Sequence, residues 1–209
     1  LYYLFRIDVA EIILPRARQV APQARVIFHA PDLHFLREMR EAEVKKDFVA
    51  LAQARMSRDS ELAVMRVSDR VVIVSPAELP YLHAELLETP ILVFPALYSD
   101  LPENPPGYSA RGDISFLGGF GHQPNVDAVL WCADKVWPLI HDALPEVKFH
   151  IVGAEMPQAI LDLGRLPGVE IAGFVPDLDP VLAKMRVGVA PLLYGAGIKG
   201  KVGMTMGAG

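Results

Sequence analysis

Short apolar runs rich in β-branched residues recur between longer amphipathic stretches, and this alternation restricts the folds open to the chain more than any other feature. Eight such runs read as strands: residues 1–6, 25–29, 70–74, 91–94, 114–117, 147–152, 169–172 and 187–190. Val71-Val72-Ile73-Val74 is apolar without a break, the pattern of a parallel strand buried on both faces. Between the strands, residues 33–67 predict one or two helices whose solvated face carries Arg37, Glu38, Arg40, Glu41, Glu43, Lys45 and Lys46. A second helix follows Asn125, with Val126, Val129, Leu130, Ala133, Val136, Trp137 and Ile140 at helical spacing and Asn125 as its expected N-cap. Alternation of this kind predicts an α/β fold with doubly wound parallel sheets.

The alternation is interrupted once. Leu101-Pro102-Glu103-Asn104-Pro105-Pro106-Gly107 places three prolines and a glycine in seven residues, a poor helix or strand and a suitable hinge. The expected domains are therefore 1–106 and 107–209. Leu1 opens directly into a strand, and a helix begun near Lys199 stops at Gly209, so both domains are expected to be incomplete at the chain ends.

Charge and cysteine content remove several function classes. Twenty Lys and Arg against 25 Asp and Glu give a net charge of -5, which excludes the basic footprint of a nucleic-acid binder. No apolar run approaches the roughly 18 residues of a membrane helix. The single cysteine, Cys132, has no partner for an intramolecular disulfide, which favours a reducing, cytoplasmic setting; between Trp131 and Trp137 it reads as a core residue.

Glycine loops carry the chemistry. Tyr194-Gly195-Ala196-Gly197-Ile198-Lys199-Gly200-Lys201 lies between a strand and a helix. Its glycines allow close backbone approach, the helix start adds partial positive charge, and Lys199 and Lys201 add full charges. The expected ligand is a phosphate or diphosphate. Two familiar patterns fit this segment incompletely. Gly195, Gly197 and Gly200 satisfy the dinucleotide fingerprint but follow about three strands of their own domain, and the chain ends before the required acidic residue. Gly195 and Gly200-Lys201 match most of a P-loop, but Val202 stands where a hydroxyl would hold Mg²⁺. A second loop, Phe116-Leu117-Gly118-Gly119-Phe120-Gly121-His122, leaves the first strand of the second domain, so both loops are expected at strand carboxyl ends near a switch point. Asp177 and Asp179 read better as a turn and helix cap than as a metal pair, so no metal site is expected. His29, Asp32 and His34 cluster at a strand end, where catalytic residues often lie.

Taken in order, these segments resemble the GT-B glycosyltransferases, and among them the family 4-like retaining enzymes. Residues 116–128 look like the opening of their donor domain, Gly173-Phe174-Val175-Pro176-Asp177-Leu178 like the loop beside the nucleoside, and residues 194–202 like the donor-phosphate loop. In the first half, residues 29–37 and Val74-Ser75-Pro76-Ala77-Glu78 are similar to acceptor-side segments. The resemblance implies two Rossmann-like domains, acceptor-side (1–106) and donor-binding (107–209). It implies a hexosyltransferase-type transfer, with retention and without an essential metal, from a nucleoside-diphosphate sugar to a glycan, lipid or small-molecule acceptor. No cofactor beyond that donor and no nucleic acid is implied, and peripheral membrane contact is compatible with it. Carried over, Gly118, Gly119, Asn125, Gly195, Gly197, Lys199 and Lys201 would bind the donor, and His29 would lie near the transferred sugar. Many members carry two glutamates eight positions apart around the phosphate loop; Ala196 and Met204 stand there in this chain. A non-catalytic relative that keeps the fold is the alternative, and a dinucleotide-dependent oxidoreductase built on the glycine fingerprint a more distant one.

Overall fold

The computed structural model describes residues 1–95 and 104–209. The chain forms two compact units, Leu1–Leu97 with Tyr194–Ile198, and Tyr98–Leu193 with Lys199–Gly209. Part of the expected hinge, residues 101–103, lies outside the described residues.

In the first unit four parallel strands, β1 (Tyr2–Phe5), β2 (Val26–Ala30), β3 (Arg70–Ile73) and β4 (Ile91–Val93), lie side by side in chain order. They are joined by α1 (Ile7–Val20), α2 (His34–Lys45), α3 (Phe48–Arg66) and α4 (Leu79–His83). When each strand is added on the same side of the last, right-handed crossovers put every connecting helix on one face. The core agrees: Leu4, Val26, Phe28, Ala30, Val71 and Ile73 pack with Leu14, Phe35, Leu62 and Met65. On the opposite face Tyr3, Phe5 and Leu92 are exposed. Burial on both faces holds only for Val71–Ile73 of the inner strand β3, while β1 and β2 alternate. One-sided winding is the reason, which the apolar run by itself does not reveal.

Residues 33–67 form two helices, broken at Lys46 in the left-handed conformation and restarted by Asp47, whose carboxylate accepts from Val49 N–H (2.9 Å) and Ala50 N–H (3.0 Å). Helix α2 has no such cap of its own. Its first amides are met by two buried carboxylates from elsewhere: Glu78 takes Leu33 N–H at 3.0 Å, and Glu61 takes His34 N–H at 3.3 Å and Phe35 N–H at 3.1 Å.

The second unit reverses direction. Strands β5 (Asp113–Leu117), β6 (Phe149–Val152), β7 (Val169–Gly173) and β8 (Met185–Gly188) are parallel, in the order β7-β6-β5-β8. Growth from β5 proceeds one way through β6 and β7 and the other way to β8, so helices cover both faces and the switch point falls between β5 and β8. On one face Phe116, Phe149 and Ile151 pack with Val129, Cys132 and Trp137 of α5 (Gln123–Lys135) and α6 (Trp137–Ala143). On the other, Leu117 and Val152 meet Leu182. Short helices α7 (Gln158–Leu161) and α8 (Asp179–Leu182) complete the crossovers, and α9 (Gly200–Gly207) lies against β8. Its approach requires Gly188: a Cβ there would stand 2.5 Å from Thr205 Cγ2 and 2.6 Å from Thr205 Cβ.

Candidate functional site

The loop leaving β5 sits at the switch point of the second unit. Gly118 donates its N–H to Val152 O (3.0 Å), and a Cβ at this position would lie 2.8 Å from Asn125 Nδ2. At Gly119 a Cβ would meet nothing within 4 Å; the position faces open space. Asn125 is not the helix cap expected for it. Helix α5 begins at Gln123, and Asn125, in its first turn and buried, turns its amide inward. Its Nδ2 donates to Gly119 O at 2.7 Å, and its Oδ1 accepts from Lys201 Nζ at 2.5 Å. One buried amide thus ties the glycine loop to the first turn of α9.

Lys201 is the cation at this junction. Its Nζ lies 4.2 Å from the Phe116 ring centroid, a cation–π contact that adds to the Asn125 hydrogen bond. Burial, and then the charge of Lys199 nearby, pull its pKa from 10.5 down to about 8. A buried amine with one of its three donors spent on Asn125 is poised for an anion, because a negative ligand relieves both causes of the shift. Lys199 is the N-cap residue of α9, so both lysines lie at the helix start.

A cavity of about 400 Å³ opens beside Lys201, lined by Leu117, Gly118, Gly119, Val152, Phe174, Val175, Leu178, Gly200 and Met204. Among the described residues that line it, Lys201 supplies the only polar side chain, and Phe174 is largely exposed at its edge. Such a pocket, apolar with one charged group, suits a planar apolar group attached to an anion. Asp179 is not the helix cap expected of it, since the helix begins at Asp179 with Leu178 as its cap; Asp177 serves the local turn, its Oδ1 accepting from Asp179 N–H at 3.1 Å. Among the described residues, no group of three or more His, Cys, Asp or Glu could hold a metal ion.

The other expected residues lie in the first unit. His29 sits among β1 aromatics: Tyr3 OH is 2.6 Å from its Nδ1, and the Tyr3 and Phe5 rings meet it edge-on. Its Nε2 is shielded from solvent without a hydrogen-bond partner among the described residues, and burial lowers the ring's pKa. Asp32 pairs with Arg37 at 3.0 Å, and His34 with Glu38 at 2.9 Å.

Gly195 and Gly197 are also built into this unit. Gly195 O accepts from Arg40 Nη1 at 2.5 Å, and Gly197 N–H donates to the buried Glu78 Oε1 at 2.8 Å. Gly197 has φ +66°, and a Cβ on it would stand 2.6 Å from Pro31 O. Here the glycine is explained by backbone against backbone, and its amide is held by a carboxylate, a poor cradle for a pyrophosphate. That weighs against the dinucleotide fingerprint. Sequence reasoning does not single out Glu78 or Arg40 as site residues. The one available signal is an acidic residue just past an apolar strand, in Val74-Ser75-Pro76-Ala77-Glu78.

Comparison with known proteins follows the same lines. Residues 111–209 match the family model for Glycosyl transferases group 1. Among solved structures, a mutant of S. aureus TarM in complex with Fondaparinux, alpha-GlcNAc-glycerol and UDP superposes over 99% of this chain and 39% of its own, with TM-score 0.71 and 13% identity. Sucrose-phosphate synthase from Thermosynechococcus elongatus covers 92% of this chain and 50% of its own, with TM-score 0.64 and 15% identity. This chain therefore spans at most about half the length of these structural relatives. No curated protein matches it in sequence. Among the described residues, no helix is long and apolar enough to cross a membrane. With residues 111–209 similar to the Glycosyl transferases group 1 family, the chain, with its two parallel α/β sheets, has the fold of the GT-B glycosyltransferases.

Proposed function

We propose that the protein is a glycosyltransferase whose donor, a nucleoside-diphosphate sugar, binds in the second unit, in the cavity at the ends of β5 and β6 beside the start of α9. The observation that carries this reading is the chain of hydrogen bonds Gly119–Asn125–Lys201 at the mouth of an apolar cavity, within the residues similar to the group 1 family. The base would enter the cavity beside Phe174 and Met204, and the diphosphate would meet Lys201, Lys199 and the start of α9. Transfer breaks the bond between the anomeric carbon and the diphosphate oxygen, and an acceptor oxygen forms the new bond as it loses its proton. The departing diphosphate gains negative charge, and a cation already fixed by Asn125 and Phe116 stabilises that charge without reorganising.

Retention of anomeric configuration, a hexosyl donor, independence from metal and a cytoplasmic location belong to the same proposal and rest on the resemblance. The acceptor is a glycan, lipid or small molecule carrying a hydroxyl; the TarM structure, with UDP and carbohydrate ligands bound, is in keeping with both partners. In this reading His29 lies near the transferred sugar, a role that rests on the resemblance. The test is calorimetric titration of the full-length protein with UDP, GDP and ADP, followed by a donor-hydrolysis assay with the matching sugar nucleotides. Micromolar binding of one diphosphate together with turnover supports the proposal. Binding without turnover identifies a non-catalytic relative, and absence of binding to all three overturns the donor site.

A further inference from the structure

Five residues that follow the last strand of the second unit in sequence, Tyr194–Ile198, are part of the first unit, and four successive ones are held there separately. Tyr194 OH donates to Glu41 Oε1 at 3.2 Å, and Lys45 Nζ lies 5.4 Å from its ring centroid. Gly195 O accepts from Arg40, Ala196 is buried in the core of the first unit, and Gly197 N–H donates to Glu78. Glu78 Oε1 also takes Leu33 N–H, so a single buried oxygen fixes the start of α2 and the middle of this strap together. A buried carboxylate that accepts two amide hydrogen bonds is not readily released, since each amide left unmet in the interior loses its partner without regaining water.

We propose that Glu78, assisted by Arg40, is a positioning residue for the donor phosphates. It touches no ligand. It fixes the φ +66° turn at Gly197, two residues before Lys199, and so sets where the backbone enters α9. The link to phosphate rests on the donor-site reading above; the fixing of the strap does not.

The test uses the full-length protein and the variants Glu78→Gln, Glu78→Ala and Arg40→Leu. Hydrogen–deuterium exchange is read on peptides covering 194–203, with peptides over 113–152 as the internal control, and UDP affinity is measured in parallel. Glutamine keeps the oxygen that accepts both amides, so it should preserve strap protection and affinity to within about threefold. Alanine should raise strap exchange at least tenfold and weaken UDP by a similar factor while leaving the control peptides unchanged. Arg40→Leu, which removes the contact to Gly195 O along with the Arg40 contacts to Tyr81, should shift both readouts in the same direction by less. Strap exchange that stays at the wild-type level in Glu78→Ala overturns the inference whatever the nucleotide does. Faster strap exchange with undiminished UDP binding overturns the positioning role and leaves the donor site standing. Wild-type protein that binds no UDP, with a strap still loosened by alanine, overturns the donor-site reading and the link to phosphate, but not the fixing of the strap by Glu78.

Discussion

Replacing Lys201 by methionine keeps the side chain as far as the Cε position and its apolar seat over Phe116, and removes the charged amine with its hydrogen bond to Asn125. Hydrogen bonds to a charged group are worth about 1.5–3 kcal/mol, so Lys201→Met should weaken a nucleoside diphosphate about 10- to 150-fold. The buried amine adds a sharper signature. With its pKa near 8, Lys201 is charged below that pH and neutral above it. An anion selects the charged form, so wild-type affinity should be full near pH 7 and fall about tenfold by pH 9. The second phosphate ionisation lies near 6, so ligand charge is constant over this window. Lys201→Met should show a flat profile. Stability moves the opposite way. Folding depresses this lysine's pKa from 10.5 to about 8, so between those values the unfolded chain binds more protons and the Lys201 contribution to stability rises with pH. The melting temperature of wild type relative to Lys201→Met should therefore rise between pH 7 and pH 10. Calorimetric titrations at pH 7, 8 and 9, with thermal melts of both proteins, read all of this. A wild-type affinity that is the same at pH 7 and 9 would refute the assignment of a neutral-tending amine to the phosphate.

Met204 lines the cavity one turn into α9, where methionine offers ribose hydroxyls no strong acceptor; Met204→Glu should tighten nucleotide binding about tenfold by calorimetry, and equal or weaker binding would remove ribose from this wall. Asn125→Leu cuts both the Gly119 and Lys201 hydrogen bonds and should cost at least tenfold in UDP affinity, read in the same titration. Gly188→Ala should lower stability by about 1–3 kcal/mol in urea melts, because the added methyl has nowhere to go beside Thr205. Turnover of the full-length enzyme should survive EDTA; a loss restored by Mg²⁺ would require a metal-binding group.

Much of the fold was legible because local periodicity encodes it. All eight expected strands are present within a residue or two of the structure, and the split at Lys46-Asp47 follows from left-handed backbone and a carboxylate cap. Winding direction was not legible. Val71–Ile73 looks the same in a singly or a doubly wound sheet, and strand order depends on contacts far apart in sequence. At the site, Gly118, Gly119, Asn125 and Lys201 do converge, but Asn125 works through its inward amide instead of a cap, since its partners lie 6 and 76 positions away. Gly195 and Gly197 illustrate the limit best. Their motif reads as a phosphate cradle, whereas Pro31, Arg40 and Glu78, more than 100 residues earlier, account for both glycines by packing and hydrogen bonds.

The central claim is that a nucleoside diphosphate occupies the cavity at the ends of β5 and β6 beside the start of α9, and amide chemical shifts of the ¹⁵N-labelled full-length protein test it directly. On titration with UDP, or with whichever diphosphate calorimetry selects, the largest shifts should fall on Gly118, Gly119, Phe174, Gly200 and Lys201, with the Asn125 side-chain amide moving among them. Saturating shifts confined to other residues, or none at these positions at millimolar ligand, would contradict the account.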